Sequence, residues 1–169
     1  TPSKRWLGPL WQAVEESRSE LGEFRDCVPL MRDPAQLAQN MSRAEQNFAE
    51  QKEELRYLII SKSSQEFLGL IGLHIRDMQV PYYEMGYWLR TSATGLGVMT
   101  RAVSLLSEFA LQRLKANRLE IRTAASNRRS ADVALRCGYK LEARLSQHRR
   151  LPNGQLDDTL IFIKSVGQS

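Results

Sequence analysis

Two hydropathy rhythms divide this chain, and the switches between them mark out its elements. Residues 10–24 and 34–52 carry apolar side chains at the three-to-four spacing of amphipathic helices, the second stretch being the more polar. Arg56-Tyr57-Leu58-Ile59-Ile60 is β-prone, residues 61–65 read as a turn, and residues 67–75 form the next strand, so the two pair as a hairpin. Pro81 marks the loop into a third strand, Glu84-Met85-Gly86-Tyr87-Trp88-Leu89-Arg90. The helical rhythm returns over residues 98–114, with Ala102, Leu105, Leu106, Phe109, Ala110 and Leu114 in register, and Leu119-Glu120-Ile121-Arg122-Thr123 alternates again as a strand. Pro152-Asn153-Gly154 is a tight turn between two late strands. A helix pair, antiparallel strands, a strand–helix–strand crossover and a terminal hairpin predict one mixed α/β domain over residues 1–169, its central sheet mostly antiparallel and flanked by helices.

The crossover carries the first chemical signal. Between its strand and its helix lies Thr94-Gly95-Leu96-Gly97-Val98. Two glycines one residue apart let the backbone approach an anion without Cβ interference, and the unpaired N–H groups of the helix's first turn point at that anion, helped by the helix dipole. Spacing sets two nucleotide sites aside: there is no G-x-x-x-x-G-K-[ST], and G-x-G-x-x-G fails because Thr100 stands where the third glycine would be. What remains is a cradle for another kind of diphosphate.

Composition narrows the setting. A chain of 169 residues that is 42% hydrophobic suits one domain with a sizeable core, and no run of about 18 apolar residues is present to span a membrane. Cys27 and Cys137 lie far apart without metal-ligand spacing, which argues against a disulfide scaffold or a zinc site and makes a reducing cytoplasm the expected setting. The formal charge of +5 is spread along the chain, with short clusters at Arg128-Arg129 and Arg149-Arg150 and no nucleic-acid-binding signature, so direct nucleic-acid binding is not expected.

Further along, Asn127-Arg128-Arg129-Ser130 and Ala134-Leu135-Arg136-Cys137-Gly138-Tyr139-Lys140-Leu141-Glu142 complete an ordered set with the Glu84 strand, Gly95-Leu96-Gly97 and Asp157-Asp158. In that order the set resembles the GNAT superfamily of acetyl-CoA-dependent N-acetyltransferases, and more narrowly the branch of ribosomal-protein alanine and serine N-terminal acetyltransferases. The resemblance runs from about residue 68 to 163. It implies the GNAT acyl-CoA N-acyltransferase fold, acetyl-CoA as cofactor and a protein N-terminal α-amine as acceptor. A small amine such as a polyamine, amino sugar or antibiotic is the competing acceptor, and a non-catalytic acyl-CoA-binding module is the competing class. Family members usually begin with an additional strand that is not evident here. Its sheet edge would then be covered by a partner chain, as in a homodimer, or by an N-terminal extension.

The resemblance also implies roles. Backbone N–H groups of Leu96, Gly97, Val98 and Met99, in the turn opened by Thr94 and Gly95, would hold the pyrophosphate, and Asn127 the pantetheine arm. Trp88, Leu89 and Arg90 would flank the cofactor where the strand splays from its neighbour, with the Leu89 N–H polarising the thioester carbonyl. Arg101, Arg128 or Arg129 would serve the 3′-phosphate, or be solvated surface charges. Glu84 would act as base through a water, sufficient for an α-amine with a pKa of about 7.7 to 8.0, or would pair with an arginine such as Arg76 or Arg122. Ser130, also cofactor-binding, would protonate the thiolate, with Tyr139 as second choice. Ser130 equally reads as the N-cap of a helix over residues 131–137. Arg149 stands where some relatives carry a carboxylate facing the acceptor, and His74 and His148 would either line the pocket or be structural.

Overall fold

Asp33 opens the longest helix: its carboxylate accepts the Gln36 N–H at 2.8 Å, Pro34 takes the first helical position, and Gln51 ends the run in the left-handed region at φ 52°. The computed structural model describes residues 1–24 and 33–165, and Cys27 lies outside them. Helices α1 (Leu7–Glu16), α2 (Arg18–Phe24) and α3 (Pro34–Glu50) precede strands β1 (Glu54–Ile60), β2 (Phe67–Asp77) and β3 (Tyr82–Leu89). After these come α4 (Val98–Gln112), β4 (Arg118–Ala124), α5 (Arg128–Arg136), β5 (Lys140–Arg150) and β6 (Leu156–Ser165). The single helix read over residues 10–24 is two helices. Ser17 leaves helical geometry between them, and its hydroxyl accepts the Thr91 N–H at 2.9 Å, a distant partner that local periodicity cannot show.

The strands form one sheet in the order β1-β2-β3-β4-β6-β5, antiparallel except for the β3–β4 pair joined through α4. This is the mixed, mostly antiparallel sheet expected from the alternation of elements. Period-two patterning gives the sheet two faces. Leu55, Leu73, Tyr83, Met85, Leu119, Ile121 and Phe162 turn to a core shared with Met99, Val103 and Leu106 of α4 and Val133 and Ala134 of α5. On the other face, Leu70 and Trp88 meet Leu10, Ala13 and Val14 of α1 and Leu37 and Met41 of α3. Each such large side chain contributes roughly 1.5–3 kcal/mol by leaving water, so both helical layers are fixed to the sheet. Among the described residues no strand pairs with the outer edge of β1, and residues 1–24 are largely helical. Among the described residues no helix is long and apolar enough to cross a membrane.

Candidate active site

The strand–turn–helix unit has the geometry the glycines foretold. Gly95 and Gly97 sit at φ 76° and 72°, and a Cβ at either would point into open space. Gly97 caps α4 without a side-chain hydrogen bond, and the helix has no acidic residue in its first turn. The N–H groups of Val98, Met99 and Thr100 therefore emerge uncapped beside exposed Leu96. A phosphate fits that surface, because it offers donors, a favourable dipole and no competing carboxylate.

A wedge opens beside this cradle. The Arg90 N–H donates to the Leu68 carbonyl at 2.8 Å, and with Leu70↔Trp88, Gly72↔Gly86 and His74↔Glu84 in register, even-numbered β3 residues address β2. Odd-numbered ones, Leu89 among them, address β4. Yet β4 meets β3 only at Tyr82↔Arg118, Tyr83↔Leu119 and Glu84↔Glu120, while it pairs with β6 along its whole length. The strands part beyond Glu84, so the Leu89 N–H faces the gap, and at about 3.3 Å per residue the gap runs some 16 Å from Glu84 to Leu89.

The predicted donor Ser130 borders the α4–α5 face of this gap. It is not the cap of α5. Asn127 is, with its Oδ1 accepting the Ser130 N–H at 3.2 Å, so the helix starts at Arg128 and Ser130 lies inside its first turn. Both residue types favour caps, and Asn127 comes first in the chain. Freed from capping, the Ser130 hydroxyl lies 3.1 Å from the Tyr87 hydroxyl, which also donates to the Ser130 carbonyl at 3.2 Å. The sequence reading did not assign Tyr87 a role. Its place three residues after Glu84, on the opposite face of the strand, was the available signal.

Tyr139 takes a core position. It is 2% exposed, its hydroxyl pairs with that of Ser107 at 2.8 Å, and burial pushes its pKa well above the usual tyrosine range. Its alternation with Gly138 and Lys140 could not show that it enters the core beside Ala134 and Cys137. Arg90 is likewise occupied. Its guanidinium pairs with Glu16 and reaches the Phe67 carbonyl, and the other Glu16 oxygen accepts the Ser92 N–H at 2.8 Å. The Arg90 contact foremost, aided by Ser92 and opposed by burial, holds the Glu16 carboxyl down to about 2. Thus α1 is buttoned to the turn before the cradle.

Glu84 sits at the apex of the wedge on the Trp88 face. Arg76 donates to its Oε2 at 2.8 and 3.1 Å, and the Arg122 Nε is 3.8 Å away. Beside it, Glu120 is 2% exposed and receives Arg118, Arg122 and Tyr82. Burial alone would raise the Glu120 pKa, but these donors hold it below the usual carboxylate range. The pairing foreseen for Glu84 is therefore present, as part of a charged layer spanning β2, β3 and β4.

At the C-terminal end of β4 a cleft of about 620 Å³ lies between α2 and the β5–β6 turn, lined by Ser19, Gly22, Glu23, Ser126, Asn153 and Gln155 among others. Among the described residues, Glu23 is the charged group in its lining and Arg149 is not part of it. Arg149 stands opposite Asp157 in the ladder, and Asp157 accepts the Ser126 N–H and hydroxyl at 3.1 and 2.6 Å. Asp158 receives the Gln147 N–H and Arg144, which pins the bulge in β5. The paired aspartates noted in the sequence thus tie the hairpin to the end of β4.

This geometry has parallels in known proteins. The ribosomal-protein-serine acetyltransferase of Escherichia coli (strain K12) is 31% identical over 101 residues, covering 60% of this chain and 56% of that protein. The chain thus spans little more than half the length of that curated relative. In fold it is similar to RimL, a ribosomal L7/L12 alpha-N-protein acetyltransferase solved with coenzyme A, at a TM-score of 0.90 and 20% identity over 99% of this chain and 92% of that one. The microcin C7 self-immunity acetyltransferase MccE, solved with acetyl-CoA and AMP, gives 0.87 and 21% over 98% and 89%. The model of the acetyltransferase (GNAT) domain matches residues 10–140, and the chain belongs to that family.

Proposed function

We propose that this protein transfers acetyl from acetyl-CoA to a primary amine, the N-terminal α-amine of a protein, in a ternary complex without a covalent enzyme intermediate. The observation that carries the reading is the junction of an uncapped phosphate cradle with a strand whose free edge borders a gap. The relatives' names agree with it: E. coli's protein acetylates a ribosomal protein, and RimL and MccE were solved with coenzyme A and acetyl-CoA.

Bound acetyl-CoA would supply an activated acyl group with a thiolate leaving group. The first-turn N–H groups of α4 would hold its diphosphate, and the side-chain amide of Asn127 its pantetheine arm. The Leu89 N–H would polarise the carbonyl, a preorganised donor of the kind that contributes several kcal/mol to lowering a barrier. Ser130, oriented by Tyr87, would give its proton to the departing sulfur. Glu84 would stand at the apex of the gap with Arg76 and Arg122 fixing its charge, on the face of β3 from which the acceptor's proton is taken. The cleft with Glu23 among its described lining residues would take the acceptor amine.

Calorimetric titration with acetyl-CoA, followed by free-thiol release on adding N-terminal peptides and small amines, tests the reading. Binding with turnover on peptides is expected. Turnover on small amines alone would redirect the acceptor, binding without turnover would support a non-catalytic module, and absence of binding would overturn the cofactor assignment.

A further inference from the structure

Gly86 leaves a hole in the side-chain layer of β3, and an imidazole lies over it. A methyl group built on Gly86 would stand 3.4 Å from the Nε2 and 3.7 Å from the Cδ2 of His74. His74 is on β2, directly opposite Glu84, and its ring lies over Gly86 of β3, two residues beyond the last β3–β4 pair. Gly72, paired with Gly86 on the same face, is covered instead by the Glu54 carboxylate, whose Oε1 lies 2.8 Å from a methyl group built there. Neither ring nitrogen of His74 has a hydrogen-bond partner among the described residues, and no buried side-chain nitrogen or oxygen there lacks one, so both nitrogens are open to solvent. The charged groups around it are Glu54, opposite it on β1, Arg56 beside Glu54, Glu84 on β3 and Arg76 on its own strand. Arg56 is engaged by Glu54 and by Asn40 of α3, and Arg76 by Glu84.

The next residue, Tyr87, turns to the opposite face and meets Ser130. A proton acceptor on one face of β3 and a hydroxyl donor on the other thus bracket the same stretch of free strand edge. Glu84 is held by two hydrogen bonds from Arg76, whereas His74 is available. We propose that His74 Nε2, rather than Glu84, is the catalytic base that takes the proton from the acceptor ammonium, an inference that rests on the acetyltransferase reading. His74 takes one proton from the ammonium and returns it to solvent. As the C–N bond forms and the C–S bond breaks, the amine's second proton makes good the one Ser130 delivers to the sulfur. Glu84 then acts as a positioning residue whose arginine partners keep the apex ordered.

The test compares wild type, H74Q and E84Q in the intact protein, using an N-terminal peptide and acetyl-CoA. Calorimetry with acetyl-CoA should be the same for wild type and H74Q. The kcat of H74Q should fall by on the order of 100-fold, and the acidic limb of its kcat/KM profile should disappear, with partial rescue by added imidazole. E84Q should keep that limb. An H74Q protein with kcat within about twofold of wild type, or with the acidic limb intact while E84Q loses it, would overturn the assignment. A wild-type protein that binds acetyl-CoA but turns over no amine would instead overturn the reading on which it rests.

Discussion

A hydroxyl is a useful proton donor only when something aims it, and here two candidates that look alike in sequence are aimed differently. Ser130 meets Tyr87 at the border of the gap, while Tyr139 spends its hydroxyl on buried Ser107. S130A should therefore lower kcat by on the order of 100-fold with little change in acetyl-CoA affinity, and Y87F should lower it several-fold by loosening Ser130. Y139F should leave kcat within about twofold yet cost about 1 kcal/mol in denaturant unfolding, because Ser107 loses its partner. Steady-state kinetics and urea melts on the three variants separate these roles. The family resemblance at Asn127-Arg128-Arg129-Ser130 pointed to the serine, whereas nothing in the sequence pointed to the tyrosine beside it. The Tyr87–Ser130 contact joins residues 43 apart, and no local pattern encodes such a meeting.

Among the elements, the crossover was the most legible, since each of its parts is set by short-range rules: alternation for the strands, glycine at positive φ for the turn, helical spacing for α4. G97V should test it doubly. A β-branched residue held at φ 72° costs about 1–2 kcal/mol and crowds the donors of the first turn, so acetyl-CoA affinity should fall at least tenfold in calorimetry while the sheet remains folded by circular dichroism. Unchanged affinity would mean that phosphate is held elsewhere. The break between α1 and α2 was illegible because apolar periodicity runs through Ser17, whose reason for leaving the helix is the distant Thr91 amide. The widening of β3 from β4 was likewise invisible in either strand's pattern. The pairing stops at Glu84, although both strands continue, and the family resemblance alone foretold that splay.

At the scale of the molecule, two charge clusters hold the parts in register. Glu120, buried beneath Arg118 and Arg122, ties β4 to Tyr82 of β3 and, through Arg118, to Glu142 of β5. E120A should cost about 1–2 kcal/mol, because the Tyr82 hydroxyl loses its acceptor while Arg118 and Arg122, both partly solvated, keep Glu142 and Glu84. Glu16 gives a pH signature. Its carboxyl is held at about 2 in the folded chain against 4.5 as an ordinary glutamate, so its pairing stabilises the fold above pH 4.5 and is lost as pH falls from 4.5 toward 2. Partly screened by solvent, the contribution is about 1 kcal/mol, and E16Q should show a correspondingly flatter decline of stability over that window than wild type in acid titrations followed by circular dichroism. Least legible at this scale was the cleft beyond β4. The cleft brings together Gly22 of α2, Ser126 after β4 and Asn153 of the last turn, three segments whose meeting only the folded sheet creates. Amine acetylation from acetyl-CoA is tested most directly by thiol release in the presence of one N-terminal peptide, free or blocked at its α-amine. Release is expected with the free peptide and none above background with the blocked one, whereas equal release with both, or none with either despite cofactor binding, would contradict amine acetylation.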